Sequence, residues 1–304
     1  MLNNLKANNL SNVATSLFIS DNKTKLQLGN LTNLSNTTVS DAINGMLKIK
    51  FVKVVGYEDS AGGRRSAVYS INENYGQIIG IIISKKCIVG VITDMHGDIL
   101  HYQEFEIKKN EKIINQLLDS LTKLKNNKIC KNLIAIGIGL DGKIDNKNQI
   151  VVECQELNWN NVHLKEIVER RLSIPTYVDH LANSLVFMEL VKWKEINNDD
   201  FLIILNNDVI KSSVYIDNNI LRGNNNYFGK KSLETNKKIL DLAMFMDIKD
   251  IIICNLNNKK RINFEHEALN INTVTKKLNE GDVAEGMAIQ AEALWFKSIY
   301  FLLG

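Results

Sequence analysis

The sequence predicts two architectures in one chain: a small α+β unit of the winged helix-turn-helix class over residues 1–74, then a larger α/β body over residues 75–304. Three observations carry this expectation. A short helix, a tight turn and a helix with a small-polar face follow one another within the first fifty residues. A hairpin with a Gly62-Gly63-Arg64-Arg65 loop comes directly after them. From Ile78 onward, apolar runs of strand length alternate with helical stripes.

Leu10, Val13, Ala14, Leu17 and Phe18 recur at helical spacing and give a first helix one apolar face. Asp21 and Asn22 break it, and a short second helix follows with Leu28 and Leu31 expected inward and Gly29 between them. Thr32-Asn33-Leu34-Ser35 supplies a turn and an N-cap, because the Ser35 hydroxyl can accept from an amide in the next turn. The third helix is expected to bury Val39, Ile43, Met46 and Leu47. Its other face carries Asn36, Thr37, Thr38, Ser40, Asp41 and Asn44, small polar groups of the kind that reach base edges in a major groove. The hairpin pairs Val52–Val55 with Ala67–Ile71, and Arg64 and Arg65 in its loop suit phosphate or the minor groove. The expected DNA contacts are therefore Ser35, Asn36, Thr37, Thr38, Ser40, Asn44, Arg64 and Arg65.

Strands are expected at Ile78–Ile83, Ile88–Thr93, Ile99–Phe105 and Leu133–Ile138, with a helix striped by Ile113, Leu117, Leu118 and Leu121 before the last of them. Phe201–Leu205 and Val214–Ile216 open a second strand set, and helix-like stretches are expected to dominate after Lys231.

A chain of 304 residues with 45% hydrophobic and 23% charged residues can bury a sizeable core. Its net charge of +3 is too small to imply nucleic acid by itself, but up to Gly76 there are eight basic and five acidic residues, so the whole excess sits in the helix-turn-helix segment. The four cysteines form no CxxC pair, which argues against a disulfide framework and fits a reducing cytoplasm. No run is long and apolar enough to span a bilayer, so no membrane partner is expected.

The stretch Thr24–Ser40 with Gly62–Arg65 resembles the ROK family, in its regulator branch of xylose-repressor-like and N-acetylglucosamine-repressor-like proteins. The likeness continues through Tyr75–Gly80, Asp94–Leu100, Gly137–Asp145, Leu157–Leu164 and Asp282–Ala288. It implies a two-lobed, actin-like sugar-kinase body with an RNase H-like sheet in each lobe, here with the second lobe shortened. It also implies a homodimer on a double-stranded operator.

Active members of that family carry an Asn-Asp pair after a strand, the Asp acting as base. The matching segment here is Asp179-His180-Leu181-Ala182-Asn183, with Leu181 at the base position and His180 in place of the Asn. A leucine takes no proton; His180 as base with Asp179 orienting it is the remaining catalytic option. The family's first phosphate turn corresponds to Ile82–Lys86, which lacks its Asp and glycines, and the second to Asn206–Ser213, where Val209 stands for a glycine. The sugar motif diverges after its start at Asn224–Lys231, and no cysteine cluster follows to hold zinc. Asn183 and Gly142 keep family positions near the sugar cleft, and with Asp141 and His180 they are the candidate ligand contacts. Asp141, in place of the proline usual there, either accepts sugar hydroxyls or caps its turn. The expectation is a repressor-type regulator of carbohydrate-related genes, with no catalytic residues, cofactor or metal and at most a weak sugar effector; the alternative is a residual carbohydrate kinase.

Overall fold

The computed structural model describes residues 2–58, 65–197, 200–207, 209–223, 236–256 and 271–303. Helix α1 (Leu2–Ser20) buries the predicted stripe of Leu10, Val13, Ala14, Leu17 and Phe18 and stops where Asp21 takes a left-handed conformation. Strand β1 (Lys23–Thr24) leads into α2 (Lys25–Thr32), which begins in a reciprocal capping box between Thr24 and Gln27 and ends on left-handed Asn33. Helix α3 (Asn36–Lys48) is capped as expected, the Ser35 hydroxyl accepting from the Thr38 amide at 3.2 Å. It buries Val39, Ala42, Ile43 and Met46. Strands β2 (Val52–Glu58) and β3 (Ser66–Ile71) form an antiparallel pair that β1 extends, in the order β1-β3-β2.

One inward assignment on α2 is corrected. Leu28 is fully buried, but Leu31 is 52% exposed. It sits in the last turn before Asn33 bends the chain away, so it has rotated off the face that meets α3.

In the body, β4 (Gln77–Ile83), β5 (Cys87–Thr93), β6 (Ile99–Glu106), β7 (Leu133–Leu140) and β11 (Thr176–His180) build one sheet in the order β11-β7-β4-β5-β6. Strands β8 (Lys143–Asp145), β9 (Ile150–Cys154) and β10 (Trp159–Val162) form a small antiparallel sheet beside it. The other large sheet, order β14-β13-β12-β15-β16, comprises β12 (Phe201–Asn206), β13 (Ile210–Ile216), β14 (Asn219–Ile220), β15 (Asp250–Leu256) and β16 (Asn272–Leu278). Helices α4 (Ile113–Lys125), α5 (Leu164–Leu172), α6 (Leu181–Met188), α7 (Asn236–Phe245) and α8 (Glu280–Trp295) pack on these sheets, with a π-helical turn at Glu189–Trp193 and a 3-10 turn at Phe296–Leu302.

The apolar run of β4 is buried at every position because the strand is central and covered on both faces. Ile78 and Ile82 face one cluster, Ile79, Ile81 and Ile83 another. Two glycines let α8 lie directly on the sheet: a Cβ on Gly80 would stand 1.9 Å from the Ala284 carbonyl oxygen, and one on Gly137 2.0 Å from that of Met287. Helix dominates after Lys231 among the described residues, as expected, but the sequence reading did not mark β16, which completes the sheet as a parallel neighbour of β15. As an edge strand it offers few apolar residues, chiefly Val274 and Leu278; Lys277 is exposed, while Lys276 lies over the Trp193 ring and pairs with Glu195.

The N-terminal helices share a core with the body. Phe18 and Phe51 meet Phe296 edge to face at 5.3 and 5.7 Å, and Phe51 meets Tyr75 at 5.2 Å. Leu303 reaches α3 beside Gly45.

Candidate functional sites: an exposed polar helix face and a filled cleft

On α3, the spacing of Thr37, Ser40 and Asn44 places them along one side of the helix, with Ser35 and Asn36 at its start. Ser35, Asn36, Thr37 and Asn44 are exposed; Thr38 and Ser40 are half-buried. The structure thus brings these predicted residues together. It adds one that the sequence reading missed: Lys25, at the start of α2, donates to Ser40 Oγ at 2.9 Å and to Asn44 Oδ1 at 3.2 Å. Its ammonium also lies 5.7 Å from the centre of the Tyr69 ring. A basic residue opening the helix before the turn was the available signal. Arg65 is exposed at the start of β3, while Arg64, Gly62 and Gly63 lie outside the described residues.

A cleft of about 780 Å³ opens where the turns after β4, β7 and β12 converge. The turn after β4 has three successive amides, the kind of nest that holds a phosphate. Each meets an oxygen of this chain. Glu156 Oε1 accepts from Lys85 N–H at 2.8 Å, and the Ser84 hydroxyl accepts from Lys86 and Cys87 N–H at 3.2 Å. Val209, 41% exposed, lines the cleft from the β12–β13 side, and Leu181 lines it at the start of α6. Asp208 and the segment Asn224–Lys231 lie outside the described residues.

The four expected ligand-site residues lie around the ends of β7 and β11. His180 caps α6, its Nδ1 accepting from Ala182 N–H at 3.3 Å. In the neutral ring this leaves the proton on Nε2, which donates to Asp141 Oδ1 at 3.2 Å. The option of Asp179 orienting the imidazole is therefore corrected: the carboxylate on the ring is Asp141. Successive strand residues face opposite ways, so Asp179 turns away from the ring and meets His180 through its backbone N–H, which it accepts at 2.7 Å. Asp141 also takes Lys211 at 3.1 Å. Burial pushes its pKa upward, but the His180 hydrogen bond and the Lys211 ammonium outweigh this and hold it below the usual range. Gly142 permits close passage of the turn, a Cβ there standing 2.7 Å from the Glu153 carbonyl oxygen.

Asp179, 3% exposed, is the hub of the other half of the cleft. Arg222 grips it with two bonds of 3.1 and 2.7 Å, and Asn146, Asn183 and Gln290 donate to it at 3.0, 2.9 and 2.6 Å. Burial raises its pKa; Arg222 and these amides more than reverse that and leave it lowered. Asn183, the fourth expected residue, is further held by Ser213 Oγ–H at 2.8 Å. Lys211 and Ser213 lie on β13 and Arg222 just past β14, so this second sheet and its margin supply partners to the polar groups of the first. Arg222 had no signal in the sequence, being a lone arginine after a short strand. Among the described residues no three His, Cys, Asp or Glu side chains converge as a metal site, and no helix is long and apolar enough to cross a membrane.

The model of the ROK family matches residues 78–231. The chain is 28% identical over 212 residues to the xylose repressor of Bacillus subtilis, covering 68% of this chain and 54% of that protein. It is 33% identical over 175 residues to a putative xylose repressor of Caldicellulosiruptor, covering 56% and 43%. The chain therefore spans about half the length of the curated relatives it matches. A solved ROK family transcriptional regulator, described as a homologue of the E. coli MLC protein, superposes with a TM-score of 0.76 over 99% of both chains at 11% identity. The ROK family glucokinase of Streptomyces griseus, solved with glucose and AMPPNP, superposes with a TM-score of 0.55 at 15% identity, over 71% of this chain and 99% of its own. These likenesses give the body a mixed α/β, actin-like sugar-kinase fold.

Proposed function

The chain belongs to the ROK family, and on that premise we propose that it is a sequence-specific DNA-binding transcriptional regulator of the repressor type. Residues 1–74 act as a winged helix-turn-helix and residues 75–304 as a kinase-like body, shortened in its second lobe, that dimerises and does no chemistry. The observation that carries this is the contrast in saturation. Polar groups on α3 stand exposed around a locally capped turn, whereas those of the kinase cleft are engaged by the chain itself. The names of the repressor relatives support the same reading and a carbohydrate-related regulon.

On DNA, Ser35, Asn36, Thr37, Thr38, Ser40 and Asn44 read base edges. Lys25 exchanges Ser40 and Asn44 for a phosphate, and Arg64 and Arg65 of the wing hold the backbone. The body uses no cofactor or metal. A nucleotide phosphate at the β4–β5 turn would have to displace the Glu156 carboxylate from Lys85 N–H, replacing one anion by another where family kinases offer open amides. A sugar would have to displace Lys211, Ser213 and Arg222 from Asp141, Asn183 and Asp179. Simple sugars accordingly bind weakly.

Selection from random duplexes at low salt should return a palindrome whose half-sites lie about 34–36 Å apart or a multiple of that. Failure to enrich any motif would sink the regulator reading. The likeness to glucokinases favours a second reading, a residual carbohydrate kinase. It is tested by ATP-dependent phosphorylation of glucose, xylose and N-acetylglucosamine; turnover that vanishes in His180→Ala would establish it.

A further inference from the structure

A second cavity, about 380 Å³, lies away from the cleft, where the DNA-side helices meet the sheet of β12–β16. Ser16 and Ser20 of α1 and Leu31 of α2 line one side, and the π-helical turn with Phe201 and Tyr215 lines the other. The exposed position of Leu31 thus has a place in the fold: it borders this cavity.

Glu189 lines it too, and is 3% exposed. One of its oxygens accepts from the Ile196 amide at 2.7 Å; the other, Oε2, is buried without a hydrogen-bond partner among the described residues. The two lysines nearby are engaged elsewhere, Lys194 with Asp21 at 2.8 Å and Lys276 with Glu195. Neither lysine forms an ion pair with Glu189 among the described residues. Burial raises the Glu189 carboxyl pKa, as expected of an acid lacking such a partner. Around it stand groups that suit hydroxyls, namely Ser16, Ser20, Asn197 and Asn218, and a ring pair, Phe201 and Tyr215, with centroids 5.1 Å apart.

We propose that this cavity is an effector site for a small polyhydroxylated amine, its ammonium group on Glu189 Oε2, its hydroxyls on the serine and asparagine side chains, and its carbon face against the Phe201–Tyr215 pair. An occupant would touch α1, α2 and the body at once, so it would alter how firmly the helix-turn-helix is held. That consequence rests on the DNA-binding reading; the binding itself does not.

The test is calorimetry on the full chain at neutral pH with glucosamine, which carries an amine, against glucose, which carries a hydroxyl in its place. Glucosamine should bind at least ~10-fold more tightly than glucose. Glu189→Gln, which keeps an oxygen for the Ile196 amide, should remove that preference, and Ser16→Phe, which fills the cavity, should abolish binding. Thermal melting checks that both variants remain folded. Equal affinity for the two sugars, absence of glucosamine binding, or binding unchanged in either folded variant overturns the proposal. So does binding lost on Asp141→Ala, since that places the ligand in the cleft. Operator release by glucosamine is measured separately, so that a chain which binds glucosamine but no operator contradicts the regulator reading and leaves this site standing.

Discussion

In the cleft, Asp179 is gripped by Arg222 and by the amides of Asn146, Asn183 and Gln290, while Asp141 holds His180 and Lys211. On the outer face of α3, by contrast, Asn36 and Thr37 stand exposed, and Asn44 is tied through Lys25 by an exposed contact at 3.2 Å. The two regions carry similar polar side chains and differ in what a visiting ligand would have to do. In the cleft it must break buried, charge-assisted bonds before forming its own, and those are the stronger kind. On the helix face it displaces water and one surface lysine. A family likeness alone would place the ligand in the cleft; the bookkeeping of partners favours the helix face.

The largest effect expected from this difference is at the hub. Arg222→Ala leaves a buried carboxylate without its cation and should lower unfolding stability by about 3–5 kcal/mol in urea melts. Arg222→Ala combined with Asp179→Asn should recover part of that loss. A loss below about 1 kcal/mol for the single variant would mean that the cleft is not held shut by this pair.

A half-buried acid with poorer partners sharpens the comparison. Glu285 on α8 is pushed up to about 7 by burial, with Asp282 and Asp98 adding to the rise and Lys192, 4.0 Å away, opposing it. A raised carboxyl favours the protonated folded state, so its penalty is absent below its ordinary value of 4.5 and complete above about 7. Stability should therefore rise as pH falls through that window. Glu285→Gln should flatten the curve there and stabilise the chain at higher pH by on the order of 1–3 kcal/mol. Asp179, held low, acts in the opposite sense: its contribution persists above the unfolded pKa of about 3.9 and is lost as pH falls through the folded value. Chemical denaturation from mildly alkaline to strongly acid pH should thus pass through a maximum on the acid side of neutrality. A monotonic rise with pH would contradict the Glu285 assignment.

On the helix face the effects are smaller and of another kind. Asn36→Ala or Thr37→Ala should leave folding unchanged and relax base preference by about 1–3 kcal/mol at the contacted position, read from selected sequences. Lys25→Ala and Arg65→Ala should weaken binding to all duplexes, each lowering the salt slope by about 1. Should either lysine or arginine variant change sequence preference instead, the division between backbone and base contacts is wrong.

The turn between α2 and α3 was legible in the sequence because its signals are local. Ser35 caps α3 through an amide three residues on, and Asn33 takes the left-handed conformation just before it. The strand β4 was legible because a central strand covered on both faces must be a continuous apolar run. Leu31 was misread because helical spacing alone does not say which face remains covered once the chain turns away. Strand β16 was missed because an edge position lets it carry Asn, Thr and Lys with little apolar content.

By itself, then, the sequence determined the helix–turn–helix, the strand runs and the residue types at the positions that match the family's kinase motifs, since each depends on neighbours a few positions apart. Only the tertiary structure decided what those residues meet. Glu156 reaches the Lys85 amide across 71 positions of chain, Lys192 of the π-helical turn meets Asp98 across 94, and Arg222 meets Asp179 across 43. Such partners are selected by how two sheets face each other across a cleft, and nothing in local spacing encodes that geometry.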